Sequence, residues 1–286
     1  YERMIYIMAN LFIPEVFSDA VNEKLGTSLR FGSVAFDATS MVGDIKSAGD
    51  TMHFPKIKRT ATVVTPVKGT AMTPAELDMS DSTATIKYIA SPFRIYDKDK
   101  AQIKGNVQNL VISQIGDAMA KQIDTDLAAE ADTSVFKTAT AAVDKITSAE
   151  LQLGFDNFGD DVDTDEFAAI IINSKLRSAF AGMPEFVNTA LTYQTSGNAL
   201  VKNGIIGKYF GVPVIVTANG TWDSTKGEAK TYIVKKNSLG YVFQKNITYE
   251  ENRPDLLLAT DIVASSLYAV KLLDDTGIVV LRKTVA

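Results

Sequence analysis

The stretch DKDKAQIKGNVQNLVISQIGDAMAKQIDTDLAAEA, residues 97–131, decides the fold. Ile103, Val107, Leu110, Val111, Ile115, Ala118, Met119, Ile123, Leu127 and Ala131 recur at steps of three and four, the period of one helix face. Asp97 and Asp99 stand ahead of the run, where a carboxylate can accept from backbone N–H groups without an intrahelical partner. Gly105 and Gly116 each cost about 1 kcal/mol against alanine in a helix interior, and no proline interrupts the pattern. A helix of about 30 residues measures about 45 Å, more than a compact domain of this size usually needs. On pattern alone, the alternative is a long core helix of an ordinary enzyme.

Upstream, residues 85–95 are strand-like and close a long polar excursion. Residues 43–92 are rich in Thr, Ser, Gly and Pro and poor in large aromatics. Residues 52–64 and 83–90 carry β-branched residues in partial alternation, bounded by turn residues. Between them TPVKGTAMTPAELD forms a tip with two prolines and a glycine. The pattern predicts a long two-stranded arm, and an isolated hairpin of that kind is marginal in water. It lies on its own domain or on another subunit. Further upstream, residues 14–25 read as a short amphipathic helix, with Pro14 at its first position and Gly26 as its stop. Before it runs an apolar arm, Ile5, Ile7, Leu11, Phe12 and Ile13, which needs a surface to cover it. Met8, opening MANLFIPE, is a plausible alternative start, so residues 1–7 read as leader, tag or cut end.

Downstream of the long helix, residues 133–145 read as a polar loop and 147–155 as a helix with Ser148 as a cap. FAAIIIN, residues 167–173, has the near-continuous apolar run of a strand buried on both faces. Asn173 or Ser174 then caps a short helix over 175–181, ended by Gly182 and Pro184. Residues 212–217, 231–235, 240–244, 247–251 and 278–281 are further strands, and 262–273 is strand in its second half. Helices and strands mix without regular βαβ alternation, which favours α+β.

The 286 residues allow one large or two ordinary domains. A net charge of -5 and pI near 5.1 give no global basic footprint for nucleic acid. The absence of cysteine excludes disulfides and thiolate metal sites, and no apolar run is long enough to span a bilayer. His53 has no second histidine to pair with, and no GxSxG, GxxxxGK[ST] or GxGxxG occurs. GIIGKYFG, residues 204–211, reads as a turn before a strand. Asp161, Asp163 and Asp165 resemble the start of a calcium loop, but Glu166 stands where that loop needs Gly and Ile172 where it needs its bidentate Glu. A solvated acidic loop fits better. Asp124 and Asp126 sit two apart on the helix and so cannot chelate one ion. No residue stands out as catalytic, cofactor-binding or metal-ligating, and an enzyme is not expected.

The order of parts, from apolar arm through extended loop and very long helix to an α+β domain and a returning β segment, resembles the major capsid proteins of tailed bacteriophages. GDTMHFPKI enters the extended loop as family members do, and the 97–131 stretch looks like the family's spine helix. FAAIIINSKLRSAF and GKYFGVPVIVT resemble strands and a helix of the axial domain. The resemblance implies the Hong Kong 97-like fold. Residues 1–42 would be an N-terminal arm with a short helix, and 43–92 the extended loop. Residues 93–146 and 245–286 would form the peripheral domain, with the spine helix at 99–131, and 147–244 the axial domain. It implies a shell subunit assembling through pentamers and hexamers around double-stranded DNA, held without sequence-specific binding. Localisation would be the virion, after assembly in the host cytoplasm. Scaffolding, portal and decoration proteins are the implied partners, with no membrane. Phe12, Phe17, Lys56, Lys58, Arg59 and Lys68 are the candidate inter-subunit contacts. Some relatives crosslink through an arm lysine, a place that Lys68 could fill. An encapsulin-type protein nanocompartment shares the fold, and an uncharacterised enzyme or a surface adhesin is the alternative from another class.

The solvated-loop reading has a direct test. Replacing Asp161, Asp163 and Asp165 together with Asn should leave the melting temperature unchanged with or without calcium. A calcium-dependent rise in the wild type, lost in the triple variant, contradicts it.

Overall fold

The computed structural model describes residues 14–39, 51–57, 65, 68–69, 79–102, 107–143, 146–159, 163–183, 205–254 and 256–284. The helices are α1 (Pro14–Ser28), α2 (Asp97–Gln102), α3 (Val107–Ala131), α4 (Ser148–Asp156) and α5 (Arg177–Ala181). The strands are β1 (Phe36–Asp37), β2 (Thr51–Ile57), β3 (Met79–Thr85), β4 (Lys87–Tyr96), β5 (Phe136–Val143), β6 (Phe167–Ile172) and β7 (Ile205–Tyr209). They continue with β8 (Val212–Val216), β9 (Trp222–Asp223), β10 (Glu228–Lys235), β11 (Leu239–Asn252), β12 (Ala259–Leu272) and β13 (Ile278–Thr284).

At 25 residues, α3 runs about 37 Å. Val111, Ile115, Met119, Ile123, Leu127 and Ala131 are buried on one face, as the period predicts. Ala120 and Ala128 join them, whereas Leu110 and Ala118 point to solvent. Ile103 and Gly105, expected inside one continuous helix, lie outside the described residues between α2 and α3. Gly116 is tolerated because its missing side chain lets α1 approach. A Cβ there would stand 2.8 Å from Lys24 Cγ. α1 runs past the expected stop at Gly26 because its end is held from outside. The Ser28 hydroxyl donates to Asp117 at 2.6 Å, and Leu29 is buried in the main core.

Three sheets are present among the described residues: β1-β11-β12-β4, β5-β13-β10-β6-β8-β7 with β9 on β10, and the hairpin β2-β3. The seven-stranded sheet crosses the 147–244 segment at both ends, since it includes β5 and β13. It is buried on both sides. Ile171, Tyr232, Val234, Ile278 and Val280 face the core that contains α3. Their neighbours Ile170, Ile172, Ile233, Val279 and Leu281 face a second core under α4 and α5. This period of two across a doubly covered sheet is what the apolar run FAAIII encodes. In the four-stranded sheet, Tyr268, Val270 and Leu272 face α3 and α1. Val242 and Ala269, paired across β11 and β12, face the other way, onto the base of the hairpin.

Several expectations are corrected. The loop expected at 133–145 contains β5, which pairs in parallel with β13 at the far end of the chain, a partner that no local signal reveals. Residues 205–209 of the expected turn form β7, and the turn narrows to Phe210 and Gly211, both at positive φ (46° and 87°), as a two-residue hairpin loop requires. β12 is strand throughout, because β4 and β11 flank it along its length. β11 joins the two short strands expected there by absorbing irregular register between Phe243 and Thr248. The cap of α4 is Thr147, whose hydroxyl and Glu150 form a reciprocal capping box. Ser148 instead bonds Tyr209 Oη at 2.8 Å.

Gly220 sits at φ 66°, and a Cβ there would stand 2.3 Å from Ala128 Cβ on α3. The 217–221 loop touches the helix only because this residue is glycine. Gly220→Ala should cost about 3 kcal/mol through overpacking and left-handed strain, read as a fall in the denaturant midpoint at constant slope. An unchanged midpoint would show that the contact is not part of the folded state.

Candidate inter-subunit surfaces

The acidic side chains of α3 bind it to every part of the chain around it. Asp124 is fully buried and accepts from the backbone N–H of Arg30 (3.0 Å) and of Gly32 (3.2 Å) and from Asn219 Nδ2 (3.3 Å). It therefore ties together the segment after α1, the spine and the Gly220 loop. Asp126 accepts from Tyr268 Oη on β12 and pairs with Lys87 Nζ of β4 at 2.9 Å. Just beyond the helix, Asp132 pairs with Lys230, accepts from Tyr232 Oη at 3.1 Å and lies 3.9 Å from Arg282. Thus Asp126 fastens the helix to the four-stranded sheet and Asp132 to the seven-stranded one. Burial pushes the Asp124 carboxyl above its ordinary range, against the backbone donors that hold it down. Burial, with the nearby Asp132 charge and hydrogen bond, pushes the Tyr232 phenol well up. Burial and the Asp37 charge push Tyr241 up to about 12.

The spacing of Asp124 and Asp126 keeps them from sharing one ion, but it does not reveal that each is a buried anchor. The available signal was two carboxylates bracketed by Ile123 and Leu127 within an apolar stripe, where a charge demands partners.

The hairpin is attached at its base. Met52, Phe54 and Ala84 are buried against Val242 and Ala269, with Phe36, Ile86 and Leu273 around them. The ladder continues outward through Lys56↔Ser80 and Ile57↔Met79. Of the residues expected to contact other subunits, Lys56 lies on this outer part of β2, and Lys68 is exposed in a turn with Gly69 at φ 88°. Phe17 lies in α1, but its side chain is not among those described. Phe12, Lys58 and Arg59 lie outside the described residues. His53 is on β2 and exposed. Asp163 accepts from the Asp165 backbone N–H, which makes it the cap of a single 3₁₀ turn. Asp161 lies outside the described residues. Among the described residues, no three His, Cys, Asp or Glu side chains are grouped to hold a metal ion, and no helix is long and apolar enough to cross a membrane.

The fold, with a hairpin hung from a sheet and one long helix shared by two sheets, has well-populated structural counterparts. The chain is similar to Mycobacterium phage Che8 (TM-score 0.66, 16% identity, 90% of this chain and 92% of that one). It is similar to the capsid structure of the cyanophage P-SCSP1u (TM-score 0.64, 16% identity, 90% and 89%). It is also similar to the virus-like particle from Pyrococcus furiosus (TM-score 0.59, 13% identity, 93% and 98%). The chain has the Hong Kong 97-like capsid fold. At these identities the likeness is one of fold. No family model and no curated protein matches the sequence.

The Asp124 anchor is testable by pH. Its folded pKa lies above its unfolded one, so the folded state holds the extra proton. Its contribution to stability is therefore greatest at low pH and is lost as pH rises from the ordinary carboxylate range through the raised value. Asp124→Asn should remove that slope from the pH dependence of unfolding free energy. Asp124→Ala, which leaves buried N–H groups unpaired, should cost about 3 kcal/mol at neutral pH. Unfolding curves for Asp124→Asn with the wild-type slope would contradict the assignment.

Proposed function

We propose that this chain is a major capsid protein, a shell subunit that assembles through pentamers and hexamers around double-stranded DNA. The observation that carries the reading is a capsid fold matched over 90% of the chain. In that reading residues 93–146 and 245–286 form the peripheral domain and 147–244 the axial domain, with the seven-stranded sheet joining them through β5 and β13. The outer hairpin, with Lys56, Lys58, Arg59 and Lys68, lies across a neighbouring subunit. Its positive charge suits an acidic neighbour, given the net charge of -5. Phe12 and Phe17 lie along another contact of the same kind. An acidic subunit also holds packaged DNA weakly, which suits a genome that must leave. Scaffolding, portal and decoration proteins complete the set of partners, and assembly takes place in the host cytoplasm.

The likeness to a virus-like particle supports a second reading, a shell that encloses protein. Nuclease-protected DNA inside purified particles separates the two.

Replacing residues 58–78 with a short Gly/Ser turn tests the role of the arm. The base contacts of Met52, Phe54 and Ala84 remain, so unfolding of the isolated subunit should change little. Closure entropy shifts by about 0.6 kcal/mol per doubling of loop length. Assembly, followed by sedimentation and negative-stain microscopy, should fail or give malformed particles. Normal shells from the deletion variant would contradict the reading.

A further inference from the structure

Beside the β7–β8 turn lies a groove of about 360 Å³, lined by Gln152, Phe155 and Asp156 of α4 and by Thr164, Phe210 and Val212. Val212 is buried and Phe155 half-buried, whereas Phe210 is 41% exposed at the turn itself. Phe210 adopts φ 46°, where a two-residue hairpin turn favours asparagine or glycine. An aromatic ring thus stands in solvent at a position where the backbone disfavours it.

The rings behind the groove already hold one cation. Phe155 and Phe158 each stand edge-on to Phe167 at 5.1 Å, and Phe155 and Phe210 both meet Tyr209, at 6.4 and 4.7 Å. Lys235 Nζ lies 5.1 Å from the Phe158 ring and 5.7 Å from the Phe167 ring, and pairs with Glu166 at 3.0 Å. Both rings are within the range of a cation–π contact, and the carboxylate completes the site. The groove repeats these ingredients with Phe155, Phe210 and Asp156. Among the described residues, no lysine or arginine lines it, and Asp156 has no ion-pair partner.

We propose that this groove receives a lysine or arginine side chain carried by a basic peptide of a partner protein. The cation would sit against the Phe155 and Phe210 rings beside the Asp156 carboxylate. The site is independent of the shell reading. A peptide fits better than a free amine, because the volume is at the small end of ligand sites and the rim is open. Asp163 and Asp165, exposed on either side of Thr164, extend the acidic surface for neighbouring basic residues. The net charge of -5 favours a basic partner over a second copy of the chain.

The probe is a fluorescein-labelled octapeptide of alternating leucine and lysine, titrated into the full chain and followed by anisotropy. Binding should saturate and should vanish when glutamate replaces lysine in the peptide. Asp156→Asn and Phe210→Asn should each weaken it about tenfold. Phe210→Asn should not lower the melting temperature, because asparagine suits the turn, so its loss of binding is separable from unfolding. Glu250→Gln, at an exposed carboxylate on β11, should bind as the wild type does. Absence of saturation, or equal weakening by Glu250→Gln, overturns the proposal in favour of general attraction to an acidic protein. Binding to the isolated subunit that is lost in assembled particles overturns it in favour of a neighbouring copy as the occupant.

Discussion

The rest of the structure depends on the burial of one helix between two sheets, with its carboxylates paired. α3 contributes Leu127, Ala128 and Ala131 to a core that also holds Ile171, Tyr232 and Val280 of the seven-stranded sheet and Tyr268 and Val270 of the four-stranded one. Apolar contact alone would let the helix slide or rotate within that core. The carboxylates fix it, because each buried charge is stable only where its own donors stand. Asp124 requires the Arg30 and Gly32 amides, Asp126 requires Tyr268 and Lys87, and Asp132 requires Lys230 and Tyr232. Register along the helix thereby sets the position of both sheets.

Among the described residues, this frame attaches the hairpin where apolar side chains reach the sheet, at Met52, Phe54 and Ala84. Beyond them β2 and β3 pair with each other, and a two-stranded ladder is weak by itself. A neighbouring subunit supplies a covering layer in the proposed shell. In that proposal the core is complete within one chain and the extensions are completed by assembly.

The parts legible in the sequence were those whose signal is local and periodic. The stripe of α3, the doubly buried FAAIII strand and the Thr-rich hairpin all showed in residue spacing. β5 did not, because FKTATAAV owes its structure to β13, and an edge strand rich in small residues looks like a polar loop. The join of β11 escaped for a related reason, since bulges near Lys245 break the alternation that would have linked its halves. Leu110 and Ala118 fitted the helical period but point away from the core, so spacing alone overstated the width of the buried stripe. The anchoring of the hairpin base was not legible, because Met52, Phe54 and Ala84 meet partners at Val242 and Ala269 far along the chain.

Amide hydrogen exchange on the isolated subunit and on assembled particles tests the central claim most directly. The account predicts slow exchange along α3 and at the base pair Met52–Ala84 in both states, and slow exchange at Lys56, Ile57, Met79 and Ser80 only after assembly. Outer hairpin amides already protected in the isolated subunit, or α3 amides protected only in particles, would contradict it.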